Sequence, residues 1–267
     1  MSLKHLSAAA IAAFALATAH ADCTLLADAA TGRVAREEGA CDTRITPAST
    51  FKIAIALMGY DAGFLVDEHT PVQHWRHGDV LWRDGWQQDT DPSRWISESV
   101  VWYSQRVTAA LGSARFARYA AAFHYGNADV SGDPKRHDGL KFAWIDSSLQ
   151  ISPREELQFL ERVVRRELPV SAKAFDMTAR ITLIPGDHAG WEIHGKTGAG
   201  FPVDARGRTD HEHGYGWFVG WAVKDGRTVV FVRQTQDDAR HDEPAGLRAR
   251  EALLPGLPAQ LDAPAGG

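Results

Sequence analysis

The chain has 267 residues, 44% of them hydrophobic and 24% charged, with a formal net charge of −5. That balance excludes a collagen-like, disordered or membrane-bundle protein. With 34 acidic against 29 basic residues and no basic block, it also speaks against a nucleic-acid partner.

Residues 1–21 carry the marks of a removable export signal. Lys4 and His5 precede an apolar run from Ala8 to Ala17, too short to span a bilayer, and Ala19-His20-Ala21 offers small residues for cleavage before Asp22. The expected mature protein begins at Asp22, has no membrane anchor and resides in the periplasm. The stretch 23–28 reads as a strand, Ala30-Thr31-Gly32 as a turn, and 33–40 as the returning strand. Cys23 and Cys41 then face each other across the open end of a hairpin, and an oxidising compartment would join them.

Thr46-Pro47 opens a helix through Phe51, Ile53, Ala54, Leu57 and Met58, which is apolar on nearly all sides and so expected to be buried. Residues 61–94, rich in Trp, His and Gly, read as an irregular connection. Helical periodicity returns at 100–111, 114–123, 153–168 and 172–181. Strands are expected at 191–196, 215–224 and 228–234, with Asp225-Gly226 turning the last hairpin, and a short helix at 248–254. The order implies an α+β fold: an antiparallel sheet built from both chain ends and flanked by helices, with an all-helical lobe inserted. The sheet lobe would take in about 22–60 and 175–267, and the helical lobe about 61–174, within a single catalytic domain spanning 22–267.

Ser49-Thr50-Phe51-Lys52 is the first candidate for chemistry. Positions i and i+3 share a helix face, so the Ser49 hydroxyl and Lys52 amine can meet, and free N–H groups of a first helical turn can hold an oxyanion. With 13 serines and 7 lysines, roughly 0.3 such pairs arise by chance, so the motif needs company. It has company in Ser99-Val100-Val101, Tyr125-Gly126-Asn127 and Lys196-Thr197-Gly198. Taken singly these read as a helix N-cap, a C-terminal glycine stop and a strand end.

Together and in this order, with a Trp within residues 144–151 and Gly246-Leu247-Arg248 after the final strand, the chain resembles the class D serine β-lactamases, the oxacillinases. The resemblance covers nearly the whole mature chain and implies the serine β-lactamase/penicillin-binding transpeptidase-like fold. It implies that Ser49 attacks the lactam carbonyl to form an acyl-enzyme. Lys52 would be N-carboxylated by carbon dioxide or bicarbonate and act as general base in both half-reactions; no other cofactor and no metal is implied. Trp144 would donate its indole N–H to the carboxylated lysine, inside a dry pocket of Phe51, Val101 and Ile145. Ser99 would relay protons. Lys196, Thr197, Gly198 and Arg248 would hold the substrate carboxylate, with the N–H groups of Ser49 and Ala199 as oxyanion hole.

Physical chemistry agrees: only a neutral amine attacks carbon dioxide, so Lys52 must be desolvated, and acid should reverse the modification. Ala199-Gly200 stands where many oxacillinases carry an aromatic residue, which leaves the grip on bulky side chains open. One rival is a class A enzyme with a deacylating glutamate, for which Glu155-Glu156-Leu157-Gln158 is the candidate. That segment reads instead as the solvated face of an amphipathic helix, and Val101 stands where Ser-Asp-Asn would have a polar residue. Further rivals are a penicillin-binding transpeptidase or carboxypeptidase, a β-lactam-sensing domain that deacylates slowly, and a peptide-binding pseudoenzyme. His211-Glu212-His213 with His241 lacks a convincing third metal ligand. The aromatic run 215–221 reads as sheet core, Arg162, Arg165 and Arg166 as a solvated helix face, and the Trp-rich segment 74–86 as one wall of the site or outer packing.

Overall fold

The computed structural model describes residues 22–204 and 206–263, so the expected export signal lies outside the described residues. One five-stranded antiparallel sheet runs in the order β2-β1-β5-β4-β3. Its strands are β1 (Cys23–Asp28), β2 (Val34–Gly39), β3 (Glu192–Gly200), β4 (Tyr215–Lys224) and β5 (Arg227–Gln236). Both chain ends build it, as the order of elements implies. Cys23 pairs with Gly39, and a register shift at Leu26/Ala27 absorbs the offset in the hairpin. Cys41 lies just past the end of β2 and closes the expected disulfide with Cys23.

Period-2 alternation puts apolar residues on both faces of the sheet. Leu25, Ala27, Trp217, Val219, Trp221, Val230 and Val232 join the larger core. Leu26, Phe218, Phe231, Val229 and Ile193 point the other way. The helices are α1 (Lys52–Asp61), α2 (Pro92–Ser97), α3 (Val101–Leu111), α4 (Ser113–Ala122), α5 (Gly139–Phe142), α6 (Pro153–Val164), α7 (Ala172–Thr182), α8 (Ala245–Leu253) and α9 (Leu257–Asp262). The second face is covered by α8 and α9 through Ala249, Leu253, Leu257 and Leu261. Helix α1, buried on nearly every side, packs between α3 and α7.

Several expectations shift. Helix α6 starts with a capping box between Ser152 and Glu155, but it packs on β1, β4 and β5 rather than within an inserted lobe. Of its arginines, Arg162 donates to the Phe123 carbonyl and Arg165 to that of Ala29, so they tie the helix down rather than simply face water. The first turn of the Thr46-Pro47 helix is 3-10, spanning Ala48–Phe51. Strand β3 does not end at Lys196 but continues to Gly200, because residues 197–200 pair with Phe218 through Tyr215 of β4.

Candidate active site

Ser49 sits in the 3-10 turn between Pro47 and α1, and it is half-buried. Ala48, directly before it, has φ +49°, a left-handed conformation that costs a non-glycine residue ~1–3 kcal/mol. Thr50 anchors the turn by donating its hydroxyl to the Pro47 carbonyl at 2.8 Å. One turn on, Lys52 is completely buried and its Nζ lies 2.8 Å from Ser49 Oγ. Burial, then the charges of Lys196 and Arg83, hold the Lys52 pKa well below the usual lysine range. The i, i+3 geometry expected from Ser-x-x-Lys is therefore present, with an amine that favours its neutral form.

The surrounding shell is aromatic. Phe51 packs against Tyr125 at 4.7 Å and against Trp144 and Phe116, both at 5.9 Å. Trp144 is fully buried and its Nε1 has no acceptor among the described residues. An indole N–H without an acceptor in so dry a shell fits an anion carried on Lys52. Val101 is buried and contributes to the cavity wall in front of Ser49. Ile145 is only partly buried and lines a separate groove beside Asp129 and Asp146. Phe116 and Tyr125 complete the shell; the aromatic residue in Tyr-Gly-Asn is the sequence signal for one of them.

A cavity of about 450 Å³ opens onto Ser49 and Ser99. Ser99 does not cap α3: that position falls to Val100, and Ser99 has φ +58° between α2 and α3. Strain of this kind on a serine that lines a cavity points to function rather than helix capping. On the opposite side, Thr197, Gly198 and Ala199 of β3 line the cavity. A Cβ on Gly198 would lie 2.7 Å from the Pro47 carbonyl and 3.2 Å from the Ser49 N, so only glycine lets β3 run this close to the nucleophile's backbone. Lys196 is buried, donates to the Thr197 carbonyl at 3.0 Å, and has its pKa lowered to about 7 by burial and by the charges of Arg83 and Arg250.

Arg248 projects from the first part of α8, whose start packs on β3: a Cβ at Gly246 would meet the Gly198 carbonyl at 2.3 Å. The Arg248 side chain does not itself line the cavity. Its guanidinium is held by the Asp237 carboxylate and the Glu243 carbonyl, and both those residues do line it. Trp82, Arg83 and Trp86 form the facing wall, so the Trp-rich segment shapes the site. Arg83 and the segment from Asp237 to Glu243 carry no motif that sequence reasoning could use. His211 and His241 also face this cavity, whereas His213 pairs with Asp210. No cluster of three or more potential metal ligands occurs among the described residues.

Glu155 and Glu156 part company. Glu155 forms a surface pair with Arg44, as a solvated face requires. Glu156 instead is fully buried, in line with Pro153, Leu157, Leu160 and Val163 on the inward stripe of α6. The expectation of a solvated glutamate fails there because i, i+3, i+4 spacing puts Glu156 on the apolar face. Tyr125 is a polar neighbour, yet neither its hydroxyl nor the Glu156 carboxyl oxygens make a hydrogen bond of normal geometry. Burial raises the Glu156 pKa to about 8. Because that value lies above the unfolded one near 4.5, the folded state binds this proton more tightly. Its stabilising contribution is full below about pH 4.5 and declines as pH rises to about 8. Glu156→Gln is expected to remove this decline, gaining of order 2–4 kcal/mol relative to wild type by pH 8.5. Urea unfolding of both proteins from pH 5 to 8.5 measures it; parallel curves would contradict a neutral buried carboxyl.

The penicillin binding protein transpeptidase domain family matches residues 14–256. β-Lactamase OXA-9 of Klebsiella pneumoniae is 44% identical over 239 residues, covering 88% of this chain and 86% of its own. β-Lactamase OXA-1 of Escherichia coli is 35% identical, covering 87% and 82%. The solved structure of the OXA-427 class D β-lactamase superposes with a TM-score of 0.85 at 48% identity, covering 90% of this chain and 98% of that one. With Ser49 and Lys52 paired at the foot of a cavity walled by Ser99 and the Lys196-Thr197-Gly198 strand, the chain belongs to the class D serine β-lactamases of the penicillin-binding transpeptidase family.

Proposed function

We propose that this enzyme hydrolyses the amide bond of penicillin-type β-lactams through an acyl-enzyme on Ser49 and so confers β-lactam resistance. The observation that carries this reading is the buried Lys52 Nζ, 2.8 Å from Ser49 Oγ, in an aromatic shell with an unpaired indole N–H. Carbon dioxide or bicarbonate is the source of the carboxyl group on Lys52, and the carboxylated side chain supplies the general base for acylation and deacylation. Ser49 Oγ gives its proton to the Lys52 side chain as it attacks the lactam carbonyl. Oxyanion charge falls on the N–H groups of Ser49 and Ala199. Ser99 relays the proton to the departing lactam nitrogen. Trp144 holds the Lys52 anion, and Phe51 and Val101, without the more open Ile145, keep bulk water from it. Lys196, Thr197, Gly198 and Arg248 bind the substrate's ring carboxylate, for which Arg248 must exchange its Asp237 partner. No helix among the described residues is long and apolar enough to cross a membrane; export by residues 1–21 would deliver the enzyme to the periplasm, where the disulfide forms.

The test is turnover of a chromogenic cephalosporin or penicillin with and without added bicarbonate. Many turnovers per enzyme, stimulated by bicarbonate, are expected. A single stoichiometric burst would instead indicate a slow-deacylating transpeptidase or sensor.

A further inference from the structure

The cavity before Ser49 has a wall that neither the nucleophile nor the carboxylate grip uses. Trp86 is buried and donates its Nε1 to the Glu98 carbonyl at 3.0 Å, which pins the irregular segment beside Ser99. The ring of Trp82 lies 6.0 Å from that of Trp86 and leaves 57% of its surface exposed. Arg83, next to Trp82 in the chain, is exposed and lines the cavity, with no side-chain hydrogen bond or ion pair to any described residue. Its charge depresses the pKa of both Lys52 and Lys196, so the guanidinium acts inside the site rather than away from it. Arg248, by contrast, already has Asp237 as partner.

We propose that Arg83, with Trp82 beside it, selects β-lactams whose acylamino side chain carries an anionic group next to an aryl ring, such as an α-carboxybenzyl penicillin. The inference rests on the proposed β-lactam hydrolysis. The ring carboxylate that all penicillins share is assigned to Lys196, Thr197 and Arg248. A second carboxylate then needs a second cation, and a free guanidinium offers paired donors to it. An exposed indole offers the aryl ring a flat apolar surface. The remaining rim repels the reverse orientation, since Asp242 and Glu243 line the same cavity by α8. Substrate charge is thereby directed toward the 82–86 wall.

Benzylpenicillin and its α-carboxy analogue differ only in this carboxylate and form the matched probe. For Arg83→Ala, kcat/KM is expected to fall about fivefold more for the α-carboxy substrate than for benzylpenicillin, chiefly through KM. Arg83→Lys should recover part of the difference, and high salt should shrink it in the wild type. Equal losses on both substrates would overturn the assignment, because Arg83 would then serve the shared ring carboxylate; no loss on either would overturn it as well. Failure of the wild-type enzyme to turn over either penicillin would overturn the hydrolase reading, and this inference with it.

Discussion

Lys52→Ala is expected to lower steady-state turnover by about 10²–10⁴-fold and to leave any acyl-enzyme that forms on Ser49 intact for long enough to be weighed. The side chain is the only titratable group hydrogen-bonded to Ser49 Oγ among the described residues, at 2.8 Å. Removing it leaves Ser49 without a base for attack and leaves the deacylating water without one too. Glu156, although fully buried, does not line the cavity and cannot substitute. Intact-protein mass after mixing with benzylpenicillin reads the trapped adduct, and a thermal melt checks that the variant is folded. Normal turnover would remove Lys52 from its role. In the wild type, the depressed pKa sets the sign of the pH dependence. As pH falls through the lowered Lys52 value the amine becomes protonated, cannot be carboxylated, and turnover is lost on the acid side.

Trp144→Phe isolates the indole N–H, since it keeps a ring against Phe51 while removing Nε1, which has no acceptor among the described residues. A hydrogen bond to a charged group contributes about 1.5–3 kcal/mol, so the bicarbonate concentration for half-maximal turnover is expected to rise about 10- to 100-fold. Saturating bicarbonate should restore much of kcat, which a purely structural lesion would not permit. Trp144→Ala adds a core cavity, expected to cost about 3–5 kcal/mol of stability, and is the less selective probe. A bicarbonate dependence unchanged in Trp144→Phe would contradict the assignment.

The parts of the fold legible in the sequence are those where local pattern and tertiary environment agree. Strand β4 is expected at 215–224 and occupies those residues, because an aromatic and β-branched run buried on both faces has no competing periodicity. Asp225-Gly226 turns tightly into β5, with both residues at positive φ. Helices α3, α4 and α7 carry amphipathic stripes long enough to read. Short elements escape: α2 has six residues and α5 four, and their stability comes from neighbours rather than from a periodic face. Asp91 caps α2 and Pro92 begins it, a signal that is present but brief. Strand β3 runs past its expected end because Gly198, Ala199 and Gly200 have low strand propensity, while pairing with β4 overrides propensity.

The site divides in the same way. Ser49 and Lys52 are legible because helical spacing alone brings i and i+3 together. The orphaned Trp144 N–H, the strained backbone of Ala48 and Ser99, and the Arg248–Asp237 pair belong to tertiary structure, which no motif spacing encodes. Glu156 is readable from the i, i+3, i+4 stripe through Pro153 and Leu157 when the count is anchored on apolar positions rather than on charge.

On the proposed reading the working base is a carboxylated Lys52. Carbon-13 NMR of the enzyme equilibrated with labelled bicarbonate tests it most directly, with kcat followed in parallel across pH. One new protein-bound carbonyl resonance is expected in the wild type, absent in Lys52→Ala, weakened in Trp144→Phe, and lost on acidification together with turnover. Full turnover in bicarbonate-depleted buffer with no such resonance would contradict that reading.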